Sequence, residues 1–170
     1  MRRTRAALVA AATAAAALSG SGAASAAPAT YAEPTVSWVA PTVLTGSAGG
    51  GFAMVQARYR CSGGDVGTHL YIAVKQGPTI SPENTSSAGA TAYYSTNWGT
   101  DGPALSLHCD GAEHTQQFRL KQDPYWGHAP TPLAAGPALI QFCMFDSTAT
   151  EGAENGFVLD YSMGTVRVLN

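Results

Sequence analysis

Hydrophobic positions along the chain recur with period two, the spacing of half-buried strands, and no sustained helical period competes with them. From Phe52 to Cys61, Val55, Ala57, Tyr59 and Cys61 fall on one face while Gln56, Arg58 and Arg60 fall on the other. His69–Gln76 alternates likewise, with Leu70, Ile72 and Val74 opposite Tyr71, Ala73 and Lys75. Thr115–Gln122 turns Phe118 and Leu120 inward against Gln117, Arg119 and Lys121. Ala138–Phe145 is apolar on both faces, as expected of a central strand covered on both sides. Val36, Trp38, Val43 and Leu44 flank Pro41, which predicts an edge strand broken by the proline. Phe157–Tyr161 and Thr165–Leu169 predict a closing hairpin.

About seven short strands punctuated by Gly, Pro and Ser predict an all-β antiparallel sandwich, although the same period fits a barrel. Gly46–Gly51 is a flexible link between strands. Two connections are long, one from Gly77 to Ser106 and one from Asp123 to Pro137, and such loops are often functional. Neither an internal repeat nor a second domain is visible.

Met1–Ala26 has the layout of an export signal: Arg2, Arg3 and Arg5, an apolar run from Ala6 to Leu18, then Ala24-Ser25-Ala26 as the cleavage site. The run falls short of the roughly 20 residues that span a bilayer. The expected product is a freely secreted, extracellular domain over residues 27–170, with no stable membrane insertion. Loss of the three leader arginines leaves six Lys and Arg against 11 Asp and Glu, a net charge near −5. That balance argues against nucleic acid or an anionic membrane as main partner, because both need clustered cations.

Outside the cytoplasm thiols can pair. Cys61, Cys109 and Cys143 form an odd set, so one thiol is left over. Cys61 and Cys109 both abut turn-rich sequence, whereas Cys143 lies in the most apolar strand. A Cys61–Cys143 bridge would imitate the inter-sheet bridge of antibody domains.

The series Tyr59-Arg60-Cys61, Leu70–Gly77, Cys109-Asp110-Gly111, Phe118–Gln122 and Gly136-Pro137-Ala138 resembles small secreted actinobacterial immunoglobulin-like domains of unknown function. That resemblance covers most of Thr35–Leu169. It implies a single immunoglobulin-like β-sandwich, a Cys61–Cys109 disulfide and no known activity.

Candidate chemistry is sparse. Asp110, Glu113 and His114, with His108 nearby, offer carboxylate and imidazole ligands, but a zinc site needs three or four groups at fixed distance. A plain Asp110-Gly111 turn before a solvated strand accounts for the same residues. Neither a Gly-x-Ser-x-Gly elbow, nor His-Glu-x-x-His, nor a phosphate loop occurs beyond the leader. Neither a cofactor nor a metal is expected. The sharpest lead is aromatic: Tyr93, Tyr94 and Trp98 in the first long connection, Tyr125 and Trp126 in the second. Rings on rigid loops suit stacking on sugars or a protein surface; the competing expectation is that they fold back over the core. The function expected is a monomeric, non-enzymatic binding or surface-interaction module for a glycan or protein. Two alternatives are a small hydrolase using Asp110, Glu113 and His114, and a protease inhibitor presenting the Asp123–Pro137 loop.

Overall fold

The computed structural model describes residues 33–46, 51–62, 68–96, 107–123, 131–146 and 157–169. They form eight strands and one 3-10 turn: β1 (Thr35–Val39), β2 (Thr42–Thr45), β3 (Phe52–Arg60), β4 (Thr68–Gln76), the turn Ser87–Gly89, β5 (Ala92–Ser95), β6 (Glu113–Gln122), β7 (Gly136–Asp146) and β8 (Phe157–Val168). Among these residues no helix is long and apolar enough to cross a membrane.

The sheet closes on itself. Around the circuit the order is β3, β2, β8, β7, β4, β5, β6 and back to β3, with β1 added alongside β3. This corrects the immunoglobulin-like β-sandwich: the fold is a seven-stranded barrel with one extra strand. Two pairings make the difference. β5 joins β4 to β6 through Lys75↔Tyr93 on one side and Ser95↔Lys121 on the other. β3 then pairs with β6 over nine residues, from Phe52↔Lys121 to Arg60↔Glu113. A period of two records which face a residue occupies and carries no information on whether the outermost strands meet. Closure removes the open edges that a sandwich must protect.

Pro41 interrupts the first strand as expected. β1 is the added edge strand, but β2 is internal, antiparallel to β3 and parallel to β8. At the break the Pro41 carbonyl accepts the Thr165 N–H at 2.7 Å, which ties the kink to β8. The expected closing hairpin is a single twelve-residue strand. Gly164 does not turn there but permits close approach. A Cβ at this position would lie 2.6 Å from Ile140 Cδ1 and 3.0 Å from the Pro41 oxygen.

Alternation fills the interior. Val55, Ala57 and Tyr59 of β3, Leu70, Ile72 and Val74 of β4, Tyr94 of β5, Phe118 and Leu120 of β6, and Ile140, Phe142 and Met144 of β7 form one core. Phe118 packs edge-on to Phe142 with centroids 6.0 Å apart, linking opposite walls. A small barrel filled this way is a packed core, not a chamber.

β7 is covered on both faces, as its composition predicts. Outside the barrel wall, Ala73 and Tyr93 pack with Ala90, Ile80 and Tyr71, so the 77–91 connection forms a second layer over β4 and β5. Cys61 and Cys109 are bridged with Cα atoms 4.5 Å apart, and Cys143 is a buried free thiol. The bridge ties the end of β3 to the approach of β6, and the Gly111 N–H bonds the Cys61 carbonyl at 2.8 Å beside it. Gly111 has φ +84°, so the expected Asp110-Gly111 turn forms with glycine in the conformation only it adopts freely.

The two half-cystines are separated by 48 positions in the sequence. The constraint of the bridge on the unfolded state corresponds to about 4 kcal/mol. A Cys61→Ala/Cys109→Ala variant is expected to lose about that much stability in urea denaturation, with the same loss on reduction of the parent.

Candidate functional site

The aromatic residues do not form the expected platform on the described part of the chain. Tyr93 and Tyr94 lie in β5 and are 2% and 1% exposed. Being consecutive in a strand, they point to opposite faces. Tyr94 enters the barrel core, and Tyr93 packs beneath the outer layer. Trp98, Tyr125 and Trp126 lie outside the described residues.

Tyr93 belongs to a polar group under that outer layer. Its hydroxyl is hydrogen-bonded to the Tyr71 hydroxyl. Lys75, 3% exposed, donates to the Thr85 carbonyl at 2.7 Å and to Gln141 Oε1 at 3.0 Å. Its ammonium lies 5.8 Å from the centre of the Tyr93 ring. Burial lowers the Lys75 pKa, since these neighbours solvate a charge less well than water. Burial, reinforced by the Tyr93 hydroxyl, raises the Tyr71 phenol well above its usual range. Ser95 donates to Asp123 Oδ2 at 2.5 Å on the same side of the sheet. These contacts pin the 77–91 segment to the barrel. Each polar group points at protein, an arrangement that holds structure and leaves little for a ligand.

The acid and histidine group is split by strand alternation. His114 Nε2 meets Asp110 Oδ1 at 2.7 Å, and the Ala112 N–H donates to the same oxygen at 2.9 Å. The His114 hydrogen bond, helped by that amide, holds the Asp110 carboxyl below its usual pKa. His108 stacks near His114 with centroids 5.3 Å apart. Glu113 turns to the opposite face, where Ser37 Oγ donates to it at 3.0 Å and Arg58 Nε lies 3.7 Å away. Among the described residues no three His, Cys, Asp or Glu side chains are grouped to hold a metal. The hydroxyl of Tyr59 donates to Gln116 at 2.7 Å and accepts the His108 N–H at 3.2 Å, closing this end of the barrel with a structural network.

Of the second long connection, residues 124–130 lie outside the described part. The remainder is anchored: Leu133 is buried, and the Gln76 side chain bonds the Ala134 N–H, the Ala134 carbonyl and the Pro137 carbonyl at 2.9–3.0 Å.

A different surface emerges on the outer face of β3 and β6. From residue 27 onward the sequence has six Lys and Arg. Five of them, Arg58, Arg60, Arg119, Lys121 and Arg167, are exposed, and the sixth is the buried Lys75. The register places all five on one side of the barrel. Phe52 pairs with Lys121, Met54 with Arg119, Arg58 with Thr115 and Arg60 with Glu113. Leu44 of β2 faces Met54 on one side and Arg167 of β8 on the other, which puts Arg167, Leu44, Met54 and Arg119 in one row. The Arg119 guanidinium lies over the Phe52 ring, 4.0 Å from its centre. Trp38 of β1 is 40% exposed beside Arg58. Glu113 is the acid set among these cations in the β3–β6 ladder. Alternation already turned Arg58, Arg60, Arg119 and Lys121 outward in the sequence. That β3 and β6 are neighbours, which gathers these cations despite an acidic total, is a long-range fact with no local signal.

The chain is thus an all-β barrel with a filled interior and a cationic wall. No protein-family model, curated protein or solved structure matches it.

Cys143 is 5% exposed, and burial pushes its thiol up to about 11. At about pH 8 only about one thiol in a thousand would be ionised. Ellman's reagent is therefore expected to leave it unmodified in the native protein and to titrate one thiol per chain in denaturant. Rapid native reaction would show that the surroundings of Cys143 open readily.

Proposed function

We propose that this protein is an exported, non-enzymatic binding module that engages an anionic partner through the outer face of β3 and β6. The observation that carries this is the gathering of every exposed cation beyond the leader onto one wall of an otherwise acid-rich chain. Random placement of five cations around a barrel would not align them along two adjacent strands and one neighbouring row. Each such charge costs self-repulsion, which an anionic partner relieves. The filled interior favours action at the surface. Glu113 diverges from the Asp110–His114 pair, so the three groups on which the hydrolase alternative relies do not converge. Export draws support from the leader pattern and from the Cys61–Cys109 bridge, since disulfides persist in oxidising compartments.

The net charge is −2 for the full sequence and near −5 without residues 1–26. A uniformly charged protein of that sign passes through a sulfopropyl cation exchanger at about pH 7.5. The purified protein is expected instead to be retained at low salt and released by NaCl, because exposed pairings are screened within about 8 Å at 0.15 M. An Arg119→Gln/Lys121→Gln variant, altered only at exposed side chains, is expected to flow through with unchanged thermal stability. Flow-through of the parent would contradict the proposal.

A further inference from the structure

We propose that the anionic partner is a linear acidic polysaccharide of the uronate type, lying along β3 and β6 with carboxylates on the arginines and a sugar ring on Trp38; this rests on the binding reading above and deepens it. Four observations lead to it.

The first is residue type. Four of the five exposed cations are arginines. A guanidinium presents parallel N–H bonds that match a carboxylate in two-point fashion, whereas a lysine acts as a compact point charge. Arg119, exposed on the outer face, also has its guanidinium carbon 4.0 Å from the centre of the Phe52 ring, a neighbour that restricts its side-chain freedom.

The second is shape. Outward side chains recur along a strand every two residues, about 7 Å apart. From the Lys121–Phe52 row to the Arg60–Glu113 row there are four such steps, so the cations extend over about 27 Å. Such a stripe fits an extended polymer bearing repeated charges better than a compact ion. The barrel wall is also convex across the strands, so a flat bilayer would touch few of these cations together, while a flexible chain can follow them.

Third, Trp38 sits at the flank of this stripe, opposite Arg58. An exposed indole beside charged side chains supplies the flat apolar face on which a pyranose ring packs while its hydroxyls stay wet. Ser37, exposed, and Gln56 and Gln117 in the middle row add hydroxyl and amide groups of the kind that bond sugar hydroxyls.

Finally, the Cys61–Cys109 disulfide supports the proposed export to an oxidising setting. Extended polyanions met there include acidic glycans, whereas nucleic acid is chiefly intracellular. The charge pattern alone fits both; the compartment and Trp38 favour the glycan.

The test is calorimetric titration of the full purified protein with sodium polygalacturonate, compared with neutral dextran, single-stranded oligothymidylate and phosphatidylglycerol vesicles. Polygalacturonate is expected to bind, with affinity falling steeply between about 0.02 and 0.15 M NaCl, and dextran not to bind. An Arg119→Gln/Arg167→Gln variant is expected to bind at least about tenfold more weakly, and Trp38→Ala about threefold more weakly, both with parental melting curves. Retention on the sulfopropyl resin without polygalacturonate binding would leave the binding module standing and overturn the glycan assignment. Tighter binding of oligothymidylate or vesicles than of polygalacturonate would overturn it equally. Undiminished binding by the arginine variant would remove this face as the site.

Discussion

The antiparallel pairing of β3 with β6 is the constraint on which the rest of this structure depends. It joins strands that begin more than 60 residues apart in the sequence, over a nine-residue register. Inside the barrel it sets Val55 against Phe118 and Tyr59 against His114. Outside, the same ladder collects Arg58, Arg60, Arg119 and Lys121. A one-residue slip would exchange the two faces, burying guanidinium groups and exposing Phe118, so the apolar pattern and the cationic wall enforce one register together. The Cys61–Cys109 bridge fixes the ladder at one end, where Gly111 and the Tyr59 network also lie. Core and surface are therefore two sides of one pairing.

Closure depends on the short β5. Four residues suffice because all four are buried, Ala92 and Tyr94 toward the core and Tyr93 and Ser95 beneath the second layer. That layer needs Lys75 to reach the Thr85 carbonyl and Gln141. A buried lysine is costly unless hydrogen-bonded; here it also spans from the barrel wall to the 77–91 connection. The result is an asymmetric barrel. One side carries a layer of packed chain over Tyr71 and Tyr93, while among the described residues the β3–β6 side is exposed and charged. The proposed binding role rests on this division more than on any single residue.

Much of the strand content was legible in the sequence because local burial writes itself as alternation. Val55, Ala57, Tyr59 and Cys61, then Leu70, Ile72 and Val74, then Phe118 and Leu120, all face the core as their spacing predicts. The two-sided apolar character of Ala138–Phe145 correctly foretold that β7 is covered on both faces. What escaped was non-local. β5 sits among Ser, Thr and Gly and reads as loop, so Tyr93 and Tyr94 looked like exposed ligand contacts; packing from β4, β6 and the 77–91 segment buries them instead. β8 reads as two runs, Phe157–Tyr161 and Thr165–Leu169, whereas Gly164 between them serves to leave room for Ile140 and Pro41. The cationic wall was half legible: the outward side of each strand was readable, the adjacency of the strands was not. Total charge carries no trace of the wall, since a negative sum says nothing about where five cations lie.

The closed circuit is tested most directly by solution NMR, from nuclear Overhauser contacts between strands across the two seams that a sandwich would lack. The barrel predicts backbone contacts from Tyr94 to Gln122 and Ser95 to Lys121, together with those from Val43 to Val166, in the same molecule that shows the Val55–Phe118 contacts. Core contacts between β3 and β6 without any across β5 and β6 would mean an open sheet. The outer layer over Tyr93 would then lose its anchor, and this account of the fold would be wrong.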